Sequence, residues 1–183
     1  MKIRPADPRD IPAITAIYQE AVRTGTASFE IEPPDLEEMT RRFTALKDAD
    51  FPYFVAEPAD AESPGVVLGY AYAGPFRPRI GYRWTLENSV YVVPGAHKRG
   101  IGRALMEALI VQSQARGFRQ MVAVIGDSAN TGSICLHAAC GFHHVGVLAS
   151  TGFKFGRWID TVLMQRDLGE GDQTLPHPEA GTA

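Results

Sequence analysis

The residues His97-Lys98-Arg99-Gly100-Ile101-Gly102 put two cations and two glycines into six positions, between the apolar run SVYVVPGA (89–96) and the amphipathic run RALMEALIVQSQARG (103–117). The pattern reads as a strand feeding a helix through a basic loop. The first amides of a helix have no intrahelical acceptor and the macrodipole is positive there, so an anion, above all a phosphate, is the natural partner. Gly100 and Gly102 admit a close backbone approach, and Lys98 and Arg99 add charge at the rim. A tight turn with solvated basic residues is the plainer alternative. A P-loop is excluded, because no Gly-Lys-Ser/Thr follows the glycines. A dinucleotide fingerprint would need a third glycine at position 105, where Leu105 stands, although Asp127 falls about where a ribose-binding acid would lie.

A second cluster, Arg77, Arg79 and Arg83, suits a carboxylate or phosphinate, with solvated loop arginines as the alternative. His143-His144 is weak as a metal site because strand neighbours face opposite ways. Cys135 and Cys140 lack metal-ligand company and are expected to be reduced and mostly buried. No metal is expected.

The 183 residues fit one domain with a short tail and suffice for a substantial core. A net charge of −3 argues against a general nucleic-acid binder. No apolar run approaches the ~20 residues that span a bilayer, and MKIRPADPRD has no apolar signal core. The expectation is a cytoplasmic protein that binds neither nucleic acid nor membrane.

The elements that must position these residues alternate along the chain. KIRP is a strand, and Asp7-Pro8-Arg9-Asp10 starts a helix with apolar positions at Ile11, Ile14, Ile17, Tyr18, Ala21 and Val22. A long polar loop (23–34) carries Phe29, and Asp35-Leu36-Glu37-Glu38 begins a second helix. YFVAE (53–57), a turn at 60–65 and VVLGYAYAG (66–74) read as a hairpin. SVYVV is expected to be a third buried strand, followed by the helix at 103–117, a strand at 120–126 and a short helix at 131–141. Strands at 142–148 and 160–168 complete a single α+β or mixed α/β domain over 1–168. Residues 169–183 lack apolar periodicity and are expected to be a disordered tail.

Strand, then a basic Gly-x-Gly loop, then helix resembles the acyl-CoA loop of the Gcn5-related N-acetyltransferases, with His97 where that family prefers Arg or Gln. AYAGPFRPRIGYRWTLENSVYV (71–92), MVAVIG (121–126), NTGSICLHAACGF (130–142) and GFKFGRWIDTVLMQ (152–165) resemble the branch containing phosphinothricin and methionine sulfoximine acetyltransferases. The likeness spans about residues 2–168. It implies a central, mostly antiparallel, splayed sheet flanked by helices, acetyl-CoA as co-substrate, and transfer to the α-amino group of a small amino acid analogue in a ternary complex. A catalytically silent CoA-sensing module, or an enzyme for a different small amine, stays open.

By the same resemblance, the pantetheine arm pairs with the strand backbone at Val90, Tyr91 and Val92, with the amide of Tyr91 or Val92 polarising the acetyl carbonyl. The amides from Lys98 through Arg99, Gly100, Ile101 and Gly102 to Arg103 hold the pyrophosphate, while Asn130 and Ser133 contact the pantetheine. Glu87 matches the family's acid/base carboxylate, and an ammonium acceptor needs such a base. His137 is the second catalytic candidate, with a hydrogen-bonded core histidine as the alternative. Phe29, Arg77, Pro78, Arg79, Glu87, Asn88 and Ser89 match positions that line the acceptor pocket. Relatives of this branch form homodimers in which the segment matching GFKFGRW helps complete the pocket, so a homodimer is expected.

Overall fold

A computed structural model describes residues 1–59 and 66–176. Seven strands, β1 (Lys2–Pro5), β2 (Tyr53–Glu57), β3 (Gly69–Pro75), β4 (Thr85–Val92), β5 (Gln120–Gly126), β6 (His143–Lys154) and β7 (Arg157–Asp167), form one sheet in the order β1-β2-β3-β4-β5-β7-β6. Only β4 and β5 are parallel; the other five pairings are antiparallel. Four α-helices, α1 (Ile11–Thr24), α2 (Leu36–Asp48), α3 (Ile101–Ala115) and α4 (Thr131–Ala139), pack around the sheet. The expected mixed α/β, mostly antiparallel arrangement is the one observed.

Local chemistry explains the helix starts. Asp7 and Asp10 form a reciprocal capping box over a 3₁₀ turn at Pro8–Asp10 that leads into α1. The Asp10 carboxylate is buried and accepts two 2.7 Å hydrogen bonds from the Arg4 guanidinium, which ties β1 to this corner. The Asp35 side chain caps α2 by accepting from the Glu38 amide at 2.8 Å.

Alternation along the strands divides the core. On β3, Tyr70 and Tyr72 point toward α1 and α2, where they meet Ile14, Tyr18, Val22, Met39 and Phe43. Ala71 and Ala73 point the other way, and their small size lets Leu105, Met106 and Leu109 of α3 approach the sheet closely.

The feature that positions the site is a change of partner in the middle of the sheet. The β4–β5 ladder runs only from Thr85↔Gln120 to Asn88↔Ala123. Beyond it β4 continues to Val92 paired with β3 alone, and β5 continues to Gly126 paired with β7 alone. The two central strands therefore part after Asn88.

Several boundaries differ from the sequence reading. The strand expected at 89–93 begins at Thr85, and its residues 89–92 are half-buried rather than buried, because the parting leaves them one empty flank. β6 runs to Lys154 instead of ending at 148, and β7 starts at Arg157, so GFKFGRW makes the tip of a long hairpin. A register shift between Leu148 and Gly152 lets this strand continue past its apolar run. Cys140 is buried, but Cys135 faces outward from α4. The turn expected at 60–65 lies outside the described residues, as does 177–183 of the expected tail. Of that tail, residues 169–176 are described, and the Arg119 guanidinium donates to the carbonyls of Gly171 and Thr174 at 2.8 and 2.7 Å.

Candidate active site

Where β4 and β5 part, a cleft opens, lined by Asn88, Ser89, Val90 and Tyr91 on one side and Ala123 to Gly126 on the other, together with Asn130, Ser133 and His137 of α4 and its cap, and Ala27. The Val93 amide donates to the Leu68 carbonyl on the β3 side. Because successive residues of a strand aim their backbone groups to opposite edges, Tyr91 also faces β3, while Val90 and Val92 face the cleft. Two amides of a central strand thus point into a space that no neighbouring strand fills.

The cleft leads to the start of α3. Gly100 caps that helix with φ +79°, a left-handed conformation open to glycine without strain, and a Cβ there would meet nothing within 4 Å. The first helical bond at this end runs from the Ala104 amide to the Gly100 carbonyl, so the amides of Ile101, Gly102 and Arg103 have no intrahelical acceptor. This is a cradle for a phosphate, with the Lys98 and Arg99 side chains exposed beside it. His97 Nε2 lies 3.0 Å from the Val92 carbonyl oxygen, so the imidazole ties the loop back to the end of β4. Asn130 caps α4 by accepting from the Ser133 amide at 3.2 Å, which holds both residues at the back of the cleft.

His137 and Asn88 form a buried bridge behind the same opening. His137 Nε2 is 2.9 Å from Asn88 Oδ1, His137 Nδ1 is 2.8 Å from the Ser133 carbonyl oxygen, and Asn88 Nδ2 donates to the Val122 carbonyl at 3.1 Å. Both ring nitrogens are engaged inside the protein. Burial pushes the His137 pKa down, opposed by the bond at Ser133. A neutral ring has one N–H for two oxygens, and turning the Asn88 amide would set its oxygen against Val122, so the bridge is short of one proton unless the ring is charged.

Glu87, Ser89 and Tyr91 alternate with Asn88 and lie on the opposite face of β4, beside Gly74, Tyr72 and Tyr70 of β3. Asn88, expected at the acceptor with its neighbours, therefore sits on the other side of the sheet. Glu87 is half-buried and its carboxylate makes no hydrogen bond among the described residues. Burial pushes its pKa up, and the nearby Arg77 guanidinium partly offsets this. Arg77 lies over the Phe76 ring at 5.0 Å, and Arg77, Pro78 and Arg79 are exposed. Arg83 instead stacks at 3.9 Å on Trp84, so it stands apart from the other two.

A raised carboxylate pKa in the fold has a stability consequence. The folded state holds the proton more tightly than the unfolded chain, so this contribution weakens stability as pH rises from the ordinary carboxylate value through the folded value. Glu87→Gln should therefore melt higher than the parent at neutral pH, with the advantage gone below about pH 4, where both states are protonated. Thermal melts of both proteins across pH check this; a mutant less stable at pH 7 would show that Glu87 holds the fold together.

Sequence reasoning did not find the aromatic wall on this face. Tyr18 donates to Glu30 Oε1 at 2.8 Å, and burial pushes its hydroxyl up to about 12, so it stays a neutral donor. Glu30 also takes a 2.6 Å bond from Arg42. Tyr18 meets Tyr91 edge-on at 5.1 Å, and Tyr70 stacks on Tyr91 at 5.3 Å. The tyrosines at 70 and 72 are two apart in the sequence, which was the available sign that they share a face. Phe29 lies against Gly126, one of the residues that line the cleft, and does not line it itself.

Residues 3–163 match the family model of the acetyltransferase (GNAT) domain. The chain is 58% identical over 167 residues to a phosphinothricin N-acetyltransferase of Alcaligenes faecalis, covering 91% of this chain and 82% of that protein. It is 42% identical over 166 residues to an L-methionine sulfoximine/L-methionine sulfone acetyltransferase of Pseudomonas paraeruginosa, covering 91% and 94%. Among solved structures it superposes with a TM-score of 0.92 on a GNAT superfamily phosphinothricin acetyltransferase of Sinorhizobium meliloti in complex with AcCoA, at 45% identity and with 98% and 94% of the two chains covered.

Proposed function

The chain belongs to the GNAT acetyltransferase family, and from that premise we propose that it moves the acetyl group of acetyl-CoA to the α-amino group of a small amino acid analogue of the phosphinothricin, methionine sulfoximine or methionine sulfone type. The single observation that carries this reading is the parting of β4 from β5, which turns two amides of a central strand toward a cleft ending at the unpaired amides of α3. The names of the relatives support the acceptor class.

Acetyl-CoA supplies an activated thioester. The amides of Lys98 through Arg103 bind its pyrophosphate, Val90 and Val92 hold the pantetheine as a strand would, and Asn130 and Ser133 flank it. The Val92 amide, rather than that of Tyr91, is the donor to the acetyl oxygen; such a contact is worth ~3–4 kcal/mol in other enzymes. The acceptor lies across β4 beside Glu87, which takes a proton from its ammonium. Transfer is direct, in a ternary complex: the nitrogen–carbon bond forms and the carbon–sulfur bond breaks. Of the two protons the ammonium gives up, one ends on the coenzyme A sulfur and the other in solvent. His137 supports Asn88 and Ser133, since both its nitrogens are already engaged.

Phe29, Arg77, Pro78, Arg79 and Ser89 complete the acceptor pocket in this account, with the arginines facing an acidic group of the acceptor. Replacing Arg77 or Arg79 with Ala should raise KM about ten- to a hundredfold more for acidic acceptors than for their amides, as lost charge-assisted bonds cost ~1.5–3 kcal/mol. Equal weakening of both classes would reduce the cluster to a structural role. The enzyme acts as a cytoplasmic homodimer of single-domain subunits (1–168) with an appended tail. Exposed Val145, Val147, Leu148 and Phe153 of β6, Phe155 in the turn that follows and Trp158 of β7 support the pairing; among the described residues no helix is long and apolar enough to cross a membrane.

Release of free thiol from acetyl-CoA with a panel of amines tests the reaction. Turnover with phosphinothricin or methionine sulfoximine and not with simple amines is the expected result; acetyl-CoA binding without turnover on any amine would leave only a binding protein.

A further inference from the structure

The loop between α1 and α2, which carries Phe29, is held on one side by Tyr18 and Arg42, which both bond Glu30. On the other side it is fastened from the far edge of the sheet. Lys154, at the end of β6, is 2% exposed, and its ammonium donates to the carbonyls of Gly25 and Ser28 at 2.9 Å each. Those two bonds bridge the chain over more than a hundred residues and take up two of the three donors of a buried ammonium that has no carboxylate within ion-pair distance among the described residues. Beside it, Asp127 accepts from Thr26 at 3.0 Å and from Arg157, at the start of β7.

Between these two ties lies the Phe29 ring. A Cβ built on Gly152 would come within 2.5–2.8 Å of three atoms of that ring, and one on Gly126, which lines the cleft, within 3.1 Å of it. Real Cβ atoms do not approach within 2.8 Å, so the ring keeps its place only while position 152 is glycine; at Gly126 the nearer obstacle is the Thr26 carbonyl oxygen, 2.1 Å from the built Cβ. Phe29 is wedged between the cleft wall and the hairpin, and any atom added on the hairpin side must push it or the loop.

We propose that Gly152 and Lys154 are specificity-determining positions: the β6 hairpin sets how far Phe29 reaches toward the acceptor, and thereby the size of acceptor the enzyme takes. This rests on the reading of Phe29 as part of the acceptor pocket. Neither residue touches the acceptor; each acts through the loop. Lys154 draws the loop down by two carbonyls, and Gly152 leaves room for the ring to follow.

The test measures acceptor and acetyl-CoA kinetics separately. Gly152→Ala should lower kcat/KM for the acceptor by on the order of ten- to a hundredfold, the scale of a misplacement near 1 Å, with a larger loss for bulkier acceptors and no change in the KM for acetyl-CoA. In a Phe29→Leu background the same Gly152→Ala change should cost little, because the branched but smaller side chain no longer fills the space. Lys154→Met should raise the acceptor KM while leaving acetyl-CoA untouched, and Lys154→Arg should restore part of it. If Gly152→Ala fails to fold, as a melting curve shows, the Lys154 pair carries the test. An acceptor KM unchanged in both variants, or a Gly152→Ala penalty equally large in the Phe29→Leu background, overturns the proposal. A parent that acetylates no amine would instead refute the proposed reaction, a different outcome from a working parent indifferent to these changes.

Discussion

At pH 7, Glu87→Gln should turn over acceptor ~10²–10⁴ times more slowly than the parent, the usual worth of a general base, with acetyl-CoA affinity nearly intact. The carboxylate is half-buried, makes no hydrogen bond among the described residues, and stands one strand position from the Asn88 register point where β4 and β5 part. Glutamine keeps its size and removes its proton affinity. As pH rises toward the amine's own pKa, free amine becomes plentiful and the mutant should regain most of its deficit. Burial raises the Glu87 pKa, so the parent's acid limb should fall at a higher pH than an ordinary glutamate would give; it reflects loss of the base as the carboxylate takes up a proton. A pH–rate profile of both enzymes at saturating acetyl-CoA checks this. A deficit that stays constant with pH would mean that Glu87 positions the acceptor instead of taking its proton.

Gly100→Asp should abolish the rise in melting temperature that acetyl-CoA confers on the parent by binding the folded state. The cause is charge more than strain: the residue sits at φ +79°, a conformation that Asp127 adopts in this chain at φ +74°, and the new carboxylate would project into the open space where the phosphate belongs. Gly100→Asn, equal in size and in its tolerance of this conformation but uncharged, isolates the charge and should keep part of the shift. A full shift in the Gly100→Asp protein would put the coenzyme elsewhere on the molecule.

What could be read in the sequence was whatever depends on near neighbours. The strand, basic glycine loop and helix around Gly100 follow from a dozen consecutive residues, as do the Asp7 and Asp35 caps. The parting of β4 from β5 could not be read the same way. It depends on a register between residues 85–88 and 120–123 and on the partner that β5 finds at β7, and no local pattern encodes where one ladder stops. The placing of Asn88 was legible and overlooked: Glu87, Asn88 and Ser89 are consecutive in a strand, so they cannot all face one acceptor. The bridge from Asn88 to His137 joins residues 49 apart, and the tie from Lys154 to the Phe29 loop joins residues more than a hundred apart. Both are set by the tertiary fold, and in the sequence each residue shows only as a polar group in an apolar neighbourhood.

The coenzyme is expected in the gap between β4 and β5, with its pyrophosphate on the start of α3. Amide hydrogen exchange on the whole protein, with and without acetyl-CoA, reads this placement most directly, residue by residue. The account requires slowed exchange at Val90 and Val92 and at Ile101, Gly102 and Arg103, with Tyr91 and Val93, already facing β3, changed far less. Protection confined to another surface, or shared equally by odd and even residues of β4, would contradict it.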